Sequence, residues 1–387
     1  VADPASAVQY VTPKGVTVDG FLEACRALLR DGRGAVVWAL LWDTGINHDG
    51  LPHTPEMLER APIGDHEQRV QLSVNGARFF GGLYCKQRGD RVHDMWQFTP
   101  ECPWASLPGL PSPEQGLTAA QFLTCWKALA LYEPRAVVEF AAWWGYKGDP
   151  ALLFVLKPPV DARRSERDWP TTLRVMVAGS TGCGKSALLQ RLASPAKTTD
   201  GEADDDGHST VPGGRGPVVR ALTVPRPGGD VTLVLEEVAE ADARQAAEAP
   251  EVMLAYDGVL LCFAPSSDRS VDFMYDVVPA LAAHAQLPVA FAITMADVPF
   301  SDTPRPVAPD AFLARHGFAW CPFTVTAYPE RAQMLGIGND IDALPATLVE
   351  ALHDIDATRV PVVTTARKLR RVLIVTVGVA VVGLTLR

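Results

Sequence analysis

The hydrophobic positions in the second half of the chain fall into short apolar runs separated by amphipathic stretches. The runs predict β-strands at 173–178, 218–224, 231–236, 258–263, 289–293 and 323–326. Helical spacing predicts helices at 185–192, 270–284 and 344–355. Strands that alternate with helices are typical of an open α/β sheet, in which ligands bind beyond the carboxyl ends of the strands.

The first half of the chain has helical spacing of its apolar positions, and the pattern recurs. Residues 15–45 and 116–146 align without a gap, and ten of the aligned pairs are identical. Thr118 and Gln121 have the spacing of a capping box at the start of the second copy. We therefore predict a duplicated helical unit.

Each copy opens like the second half of an EF-hand loop, with a short strand entering a helix. The position of the bidentate calcium glutamate holds Gly20 or Gln121, so neither copy is expected to bind calcium. Residues 45–56 are a closer match, but Gly45 offers no ligand at the first loop position. The candidate calcium ligands in that segment are Asn47, Asp49 and Glu56. Because Glu56 also fits the first turn of a helix, we favour packing modules of EF-hand shape without calcium and keep the calcium site as the weaker alternative.

Composition is that of a soluble globular protein of two or three domains, with 387 residues, 48% hydrophobic and 21% charged. The net charge of −10 argues against a general nucleic-acid-binding surface. The seven cysteines are scattered and none forms a C-x-x-C pair. We infer a reducing compartment, with neither structural zinc nor a disulfide framework.

The C-terminus carries a charge-free run, Val372–Leu386, preceded by Lys368, Arg370 and Arg371 and followed by Arg387. As a helix the run would be about 22 Å long, and snorkelling arginines would extend it toward the roughly 30 Å of a bilayer core. We predict a single-pass tail anchor with the body of the protein in the cytoplasm. The alternative is a buried terminal strand. No signal peptide is visible, and the chain starts at Val1, so we expect the natural N-terminus to lie upstream.

A charged, proline-bearing segment divides the two halves and predicts a domain boundary. The predicted organisation is a first EF-hand-like helical unit at 1–60, a second such unit at 61–156 and a linker at 157–169. An α/β domain at 170–360 and a basic-flanked tail anchor at 361–387 follow.

The most specific motif is GSTGCGKS, which follows a predicted strand and precedes a predicted helix. It fits the pattern G-x-x-x-x-G-K-[ST], whose backbone N–H groups surround a nucleotide phosphate. Lys185 is expected to reach the β- and γ-phosphate oxygens, and Ser186 to hold Mg²⁺. The predicted nucleotide-binding residues here are Gly179, Ser180, Thr181, Gly182, Cys183, Gly184, Lys185 and Ser186.

After the third strand of a small GTPase, the motif D-x-x-G provides a Mg²⁺-linked carboxylate and a glycine beside the γ-phosphate. Here the residues are Glu237 and Glu240, and Ala241 stands where the glutamine that positions water usually follows. Glu237 remains a candidate Mg²⁺ ligand through water. Glu240 places a side chain and a negative charge where the γ-phosphate would lie.

The guanine motif [NT]-K-x-D has its counterpart in Thr294, Met295 and Asp297. Asp297 can accept both guanine N–H donors, while Met295 keeps the packing of the usual lysine without its charge. Thr326 and Ala327 fall where a backbone N–H meets guanine O6. The acidic insert at 196–217 lies at the switch I position, and its composition predicts disorder. No Mg²⁺-binding threonine stands out there, and Thr210 is a weak candidate.

Taken in order, these segments resemble the mitochondrial Rho GTPase (Miro) family. The repeats GVTVDGFLEACRALL and GLTAAQFLTCWKALA are followed by LRVMVAGSTGCGKSALLQRL, AITMAD, FTVTA and the basic-flanked tail. The resemblance implies EF-hand pairs and a Ras-like α/β P-loop GTPase domain at 170–360 that uses GTP or GDP with Mg²⁺. The same resemblance implies a C-terminal transmembrane helix as an anchor in the mitochondrial outer membrane. It also implies adaptor partners in mitochondrial transport, morphology or inheritance.

Three departures distinguish this sequence from the family. The N-terminal GTPase and the first calcium loop are absent through truncation or divergence, the remaining calcium loops lack ligands, and the D-x-x-G and [NT]-K-x-D motifs are altered. Three hypotheses follow: an anchored guanine-nucleotide-binding protein with slow hydrolysis, a pseudo-GTPase adaptor without a nucleotide cycle, and a P-loop ATPase or kinase. Asp297 argues against the third.

Overall fold

A mainly helical region is followed along the chain by a mixed β-sheet with helices on both faces. The computed structural model describes residues 11–12, 15–33, 36–37, 40–41, 69–86, 102–111, 117–159, 169–193, 218–284, 287–298, 301, 303, 307–318, 322–325 and 340–353.

Two small antiparallel β-ladders and four main helices are seen among the described residues of the helical region. In chain order the elements are β1 (Val11–Thr12), β2 (Gly15–Val16), α1 (Val18–Arg30), β3 (Arg69–Leu72), α2 (Val74–Lys86), α3 (Ala119–Tyr132), α4 (Pro134–Trp143), a 3₁₀ turn (Pro150–Leu153) and β4 (Phe154–Lys157). The first ladder pairs β1 with β2, and the second pairs β3 with β4, from Leu72↔Phe154 to Arg69↔Lys157.

The two repeat copies have matching helix starts. Thr17 caps α1 and Thr118 caps α3 with the same extended backbone, φ −70° in both, and the predicted capping box of Thr118 with Gln121 is confirmed. Their packing differs, because Phe122 is fully buried in the helical core whereas Phe21 is 37% exposed. The duplication therefore sets local structure but not the environment of each copy.

Complete helix–loop–helix calcium units are not seen within the described ranges, since residues 42–68 and 87–101 lie outside them. The EF-hand-like character of the helical units thus stays a prediction.

The described strands of the large sheet are β5 (Thr172–Ala178), β6 (Val218–Val224), β7 (Val231–Glu237), β8 (Gly258–Phe263), β9 (Val289–Ile293) and β10 (Phe323–Thr324). The described helices around it are α5 (Lys185–Ala193), α6 (Glu240–Glu248), α7 (Pro250–Met253), α8 (Asp268–Ala283), α9 (Pro309–Arg315) and α10 (Leu344–His353). The strand order is β10-β9-β8-β5-β7-β6; β6 pairs antiparallel with β7, and the other described pairs are parallel. This arrangement is consistent with the Ras-like α/β domain expected from the sequence.

Predicted and observed elements agree closely in the sheet region. Each predicted strand is present, with β10 ending at Thr324, and each predicted helix is present, with α8 beginning two residues earlier than expected. The short helices α6, α7 and α9 were not expected from the pattern. At the predicted linker, Lys157 is the last residue of β4, and Trp169 stacks on His353 with ring centroids 4.4 Å apart.

Alternate residues of the central strands pack into two hydrophobic cores, one on each face of the sheet. On one face, residues such as Met176, Leu261 and Phe291 pack with α6, α8 and α9. On the other face, Val175 and Leu260 pack with α5 and α10. Because successive side chains of a strand point to opposite faces of the sheet, neighbouring residues belong to different cores.

The helical region packs on the first face of the sheet, over β6 and β7. Val219 and Val234 belong to the same core as the helical aromatics, which include Phe80, Phe122 and Trp126. The two regions therefore share one hydrophobic core, next to the strand that ends at Glu237.

No helix within the described ranges has both the length and the apolar character needed to cross a bilayer. The apolar run of the predicted tail anchor, 372–386, lies outside those ranges.

Candidate nucleotide-binding site

The loop Gly179–Gly184 joins the end of β5 to the start of α5. Gly182 and Gly184 have positive φ angles of 80° and 95°, which explains glycine at both positions. At Gly179 the reason is space, since an added Cβ would lie 2.5 Å from the carbonyl oxygen of Cys262. The predicted motif thus lies in the strand–loop–helix setting that phosphate binding requires.

Lys185 is folded over this loop. Its side chain is 6% exposed, and its Nζ donates to the carbonyl oxygens of Gly179 at 2.8 Å and Ser180 at 3.0 Å. The ammonium group is therefore held where phosphate oxygens would enter the loop.

Ser186 and Glu237 are brought together by the neighbouring strands β5 and β7. Glu237 ends β7 opposite Val177, and the Ser186 hydroxyl donates to Glu237 Oε1 at 2.7 Å. Hydroxyl and carboxylate oxygens suit Mg²⁺, which keeps several of its own waters. Across the described residues, no group of three or more His, Cys, Asp or Glu side chains is placed to hold a metal ion.

Glu240, at the start of α6, reaches the phosphate loop. Its Oε2 accepts from the backbone N–H of Thr181 at 2.8 Å and from Arg269 at 2.8 Å, and its Oε1 faces Arg244 at 3.4 Å. We call the side chains of Glu240, Arg244 and Arg269 the Glu240 cluster. The Thr181 N–H and the two guanidinium groups lower the pKa of Glu240 to about 2, against a smaller desolvation effect.

The base-reading residues predicted from the sequence lie at the end of β9. Asp297 is 5% exposed, and Thr294 donates through its Oγ1 to the carbonyl oxygen of Cys183 in the phosphate loop. Met295 has a positive φ of 51°, and its methyl group lies 3.6 Å from the Cβ position of Gly184. The segment is therefore packed against the phosphate loop rather than separate from it.

Some predicted residues lie outside the described ranges. Val325 is hydrogen-bonded to Ile293, which ends β9, at 2.8 Å, so the chain just before Thr326 and Ala327 is at this edge of the sheet. Positions 326 and 327 themselves are not described, nor are the calcium candidates Asn47, Asp49 and Glu56, the insert at 196–217, or Thr210.

Two functional candidates, Arg244 and Arg269, were not predicted from the sequence. For Arg244 the sequence held a signal, because Glu240 and Arg244 are four residues apart on one helix, which is the spacing of an ion pair. Arg269 comes from the start of α8, 29 residues further along, so only the fold brings it to Glu240.

No protein-family model matches the chain. Among curated proteins it is similar to Mitochondrial Rho GTPase 1 of Arabidopsis thaliana, 25% identical over 279 residues, covering 67% of this chain and 41% of that protein. Mitochondrial Rho GTPase 2 of the same plant is 27% identical over 276 residues, covering 66% and 40%. Mitochondrial Rho GTPase 1 of Schizosaccharomyces pombe is 25% identical over 343 residues, covering 81% and 51%.

These similarities make the chain a divergent relative of the mitochondrial Rho GTPases, which confirms the resemblance drawn from the motifs. The chain spans about half the length of these curated relatives or somewhat less.

Proposed function

We propose that this protein binds guanine nucleotides with Mg²⁺ at the mitochondrial surface and hydrolyses GTP slowly. The observation that carries the proposal is the meeting of Lys185, Ser186 and Glu237 at the carboxyl ends of β5 and β7. The names of the similar proteins support the choice of a guanine nucleotide and of mitochondria.

Each residue has a role that its chemistry supports. Lys185 would exchange its two carbonyl partners for the β-phosphate oxygens, and Asp297 would accept the N–H donors of guanine. Ser186, and Glu237 through water, would hold Mg²⁺, which neutralises phosphate charge when bound. Thr294, Thr326 and Ala327 complete the proposed base site.

The two residues Glu240 and Ala241, which follow β7, support slow hydrolysis. Ala241 is exposed and has no group that could orient an attacking water, while the carboxylate of Glu240 lies on the loop. Without a water-positioning residue at this place, the proposed turnover relies on the charges of Lys185 and Mg²⁺.

Titration calorimetry of the full chain with GDP, GTP and ATP in Mg²⁺ tests the nucleotide proposal. We expect guanine nucleotides to bind at about micromolar Kd or tighter, with ATP much weaker. Lys185→Ala should weaken guanine-nucleotide binding by at least about tenfold, because a buried charge-assisted contact to phosphate is lost. Unchanged affinity in Lys185→Ala would rule out the proposed site.

The alternative is a pseudo-GTPase adaptor with no nucleotide cycle. The contact between Glu240 and Thr181 favours it, because a side chain already holds one N–H of the phosphate loop. Single-turnover hydrolysis of bound GTP separates the two functions: measurable turnover excludes the adaptor, and absence of nucleotide binding excludes the GTPase.

We further propose that residues 361–387 anchor the protein in the outer mitochondrial membrane and that the body recruits adaptors for mitochondrial transport, morphology or inheritance. The charge-free run at 372–386 with its basic flanks supports the anchor. The adaptor role rests on the family resemblance. Replacing Val379 by arginine should release the protein from mitochondria in cell fractionation, and retention in the membrane fraction would contradict the anchor.

A further inference from the structure

The carboxylate of Glu240 lies on the phosphate loop, where it accepts a hydrogen bond from the Thr181 N–H. We propose that Glu240 occupies the place of the γ-phosphate and makes the site selective for a nucleoside diphosphate over a triphosphate. This inference rests on the proposed nucleotide function and adds to it the phosphate state of the bound ligand.

The contacts of Glu240 are those of an anion in a built site. One oxygen receives the Thr181 N–H and a guanidinium N–H of Arg269, both at 2.8 Å, while the other oxygen faces Arg244. Phosphate groups in proteins commonly accept hydrogen bonds from backbone N–H groups and from arginine side chains. The carboxylate therefore satisfies donors that would otherwise suit a phosphate.

The cluster is held in place from its far side. Arg244 also pairs with Asp276 on α8 at 2.6 Å and lies over the ring of Phe273, with its guanidinium carbon 4.8 Å from the ring centroid. These contacts tie α6 to α8 beside the phosphate loop. Displacing the Glu240 carboxylate would leave Arg244 held at the edge of the site.

Glu240 uses a different group of the loop from those assigned to the diphosphate. It takes the Thr181 N–H, whereas the Lys185 ammonium contacts the carbonyl oxygens of Gly179 and Ser180, and Ser186 contacts Glu237. We expect a β-phosphate that replaces the two carbonyl partners of Lys185 to leave Glu240 on the Thr181 N–H. A γ-phosphate would meet a negative charge, and the depressed pKa keeps that charge present at neutral pH.

A simple role as an acid in the first turn of α6 does not account for this geometry. Such an acid stabilises the helix dipole without contacting a distant loop. Asp242 supplies a first-turn acid in the same helix and is exposed. It therefore serves as a matched control that removes one negative charge from α6 without touching the phosphate loop.

The test is titration of the full chain with GDP and GTP in Mg²⁺, for the wild type, Glu240→Ala and Asp242→Ala. We expect the wild type to favour GDP by about tenfold or more, the order of a charge repulsion partly screened by water. Glu240→Ala should raise GTP affinity by about tenfold and leave GDP affinity within about threefold. Asp242→Ala should keep the wild-type ratio. Retained GDP binding shows that each variant still folds its site.

The outcomes separate this inference from the proposed function. If GDP binds and Glu240→Ala has the same GDP-to-GTP ratio as Asp242→Ala, the diphosphate selectivity is wrong while nucleotide binding stands. If neither nucleotide binds the wild type or Glu240→Ala, both proposals fall together. Glu240→Gln is a second variant, because it keeps the side-chain volume and one acceptor oxygen while removing the charge, and it should also raise GTP affinity.

Discussion

At the scale of single residues, Asp297 carries the proposed choice of base. It is buried at the end of β9, and its carboxylate can accept two N–H donors that guanine has and adenine lacks. We predict that Asp297→Asn weakens GDP binding by at least about tenfold, since the amide places an N–H donor opposite the donors of guanine.

The same substitution should improve binding of xanthosine diphosphate, because xanthine carries a carbonyl oxygen where guanine carries its amino group. Competition titrations with GDP and xanthosine diphosphate measure both effects. An equal loss of affinity for the two nucleotides would mean that the substitution damages the fold and that Asp297 does not select the base.

Residues of the phosphate loop were predictable because their pattern and their chemistry coincide in a short stretch of sequence. Positive φ angles at Gly182 and Gly184 demand glycine, and Lys185 follows at a fixed spacing. Arg269 was not predictable in this way, because its partner Glu240 is distant in sequence and the contact exists only after β7 and β8 are aligned on either side of β5.

At the scale of elements, α3 lies against β6 and β7 through polar contacts at the margin of a shared core. The Tyr132 hydroxyl donates to Glu236 Oε2 at 2.8 Å, and Arg174 pairs with the same carboxylate at 2.7 Å. Burial raises the pKa of Tyr132, so the phenol stays protonated and donates at any ordinary pH.

We predict that Tyr132→Phe lowers the free energy of unfolding by about 1 kcal/mol, the typical loss of one hydrogen bond. Glu236→Ala should cost about 3 kcal/mol or more, because it leaves the largely buried guanidinium of Arg174 without its carboxylate. Urea unfolding measures both. Tyr146→Phe is the matched control, since its hydroxyl contact with the carbonyl oxygen of Asp149 at 3.4 Å is long and exposed. If both variants lost the same free energy of unfolding, the hydrogen bond of Tyr132 to Glu236 would not be the cause.

The strands of the large sheet were predictable because each is a short apolar run with flanking helices. The ladder of β3 and β4 was not, because each strand has only four residues and the two lie far apart in the sequence. Arg69 and Gln71 are buried polar side chains that face the sheet region, where Gln71 donates to the carbonyl oxygen of Thr172 at 2.7 Å and Arg69 pairs with Asp257. This burial was not predictable either, because polar residues that alternate with apolar ones usually face solvent.

At the scale of the whole molecule, the shared core should make the helical and sheet regions unfold together. Val219 and Val234 of the sheet pack among the helical aromatics, so loosening of the sheet exposes that core. The tryptophans at 104, 126, 143 and 144 are buried in the helical region and report on it by fluorescence. A ligand at the phosphate loop stabilises the sheet region directly and the helical region only through this core.

We therefore predict that GDP with Mg²⁺ raises the midpoint of tryptophan-monitored thermal unfolding. A ligand at about 100 times its Kd adds about 2.7 kcal/mol, which for a protein of this size corresponds to roughly 3 °C. Trp169→Phe with Trp320→Phe removes the emitters of the sheet region, so that fluorescence reports the helical region. Lys185→Ala should abolish the shift at the same GDP concentration. If calorimetry shows a transition that moves with GDP while the fluorescence midpoint stays fixed, the two regions unfold independently, and the contact of α3 with β6 and β7 transmits no stability between them.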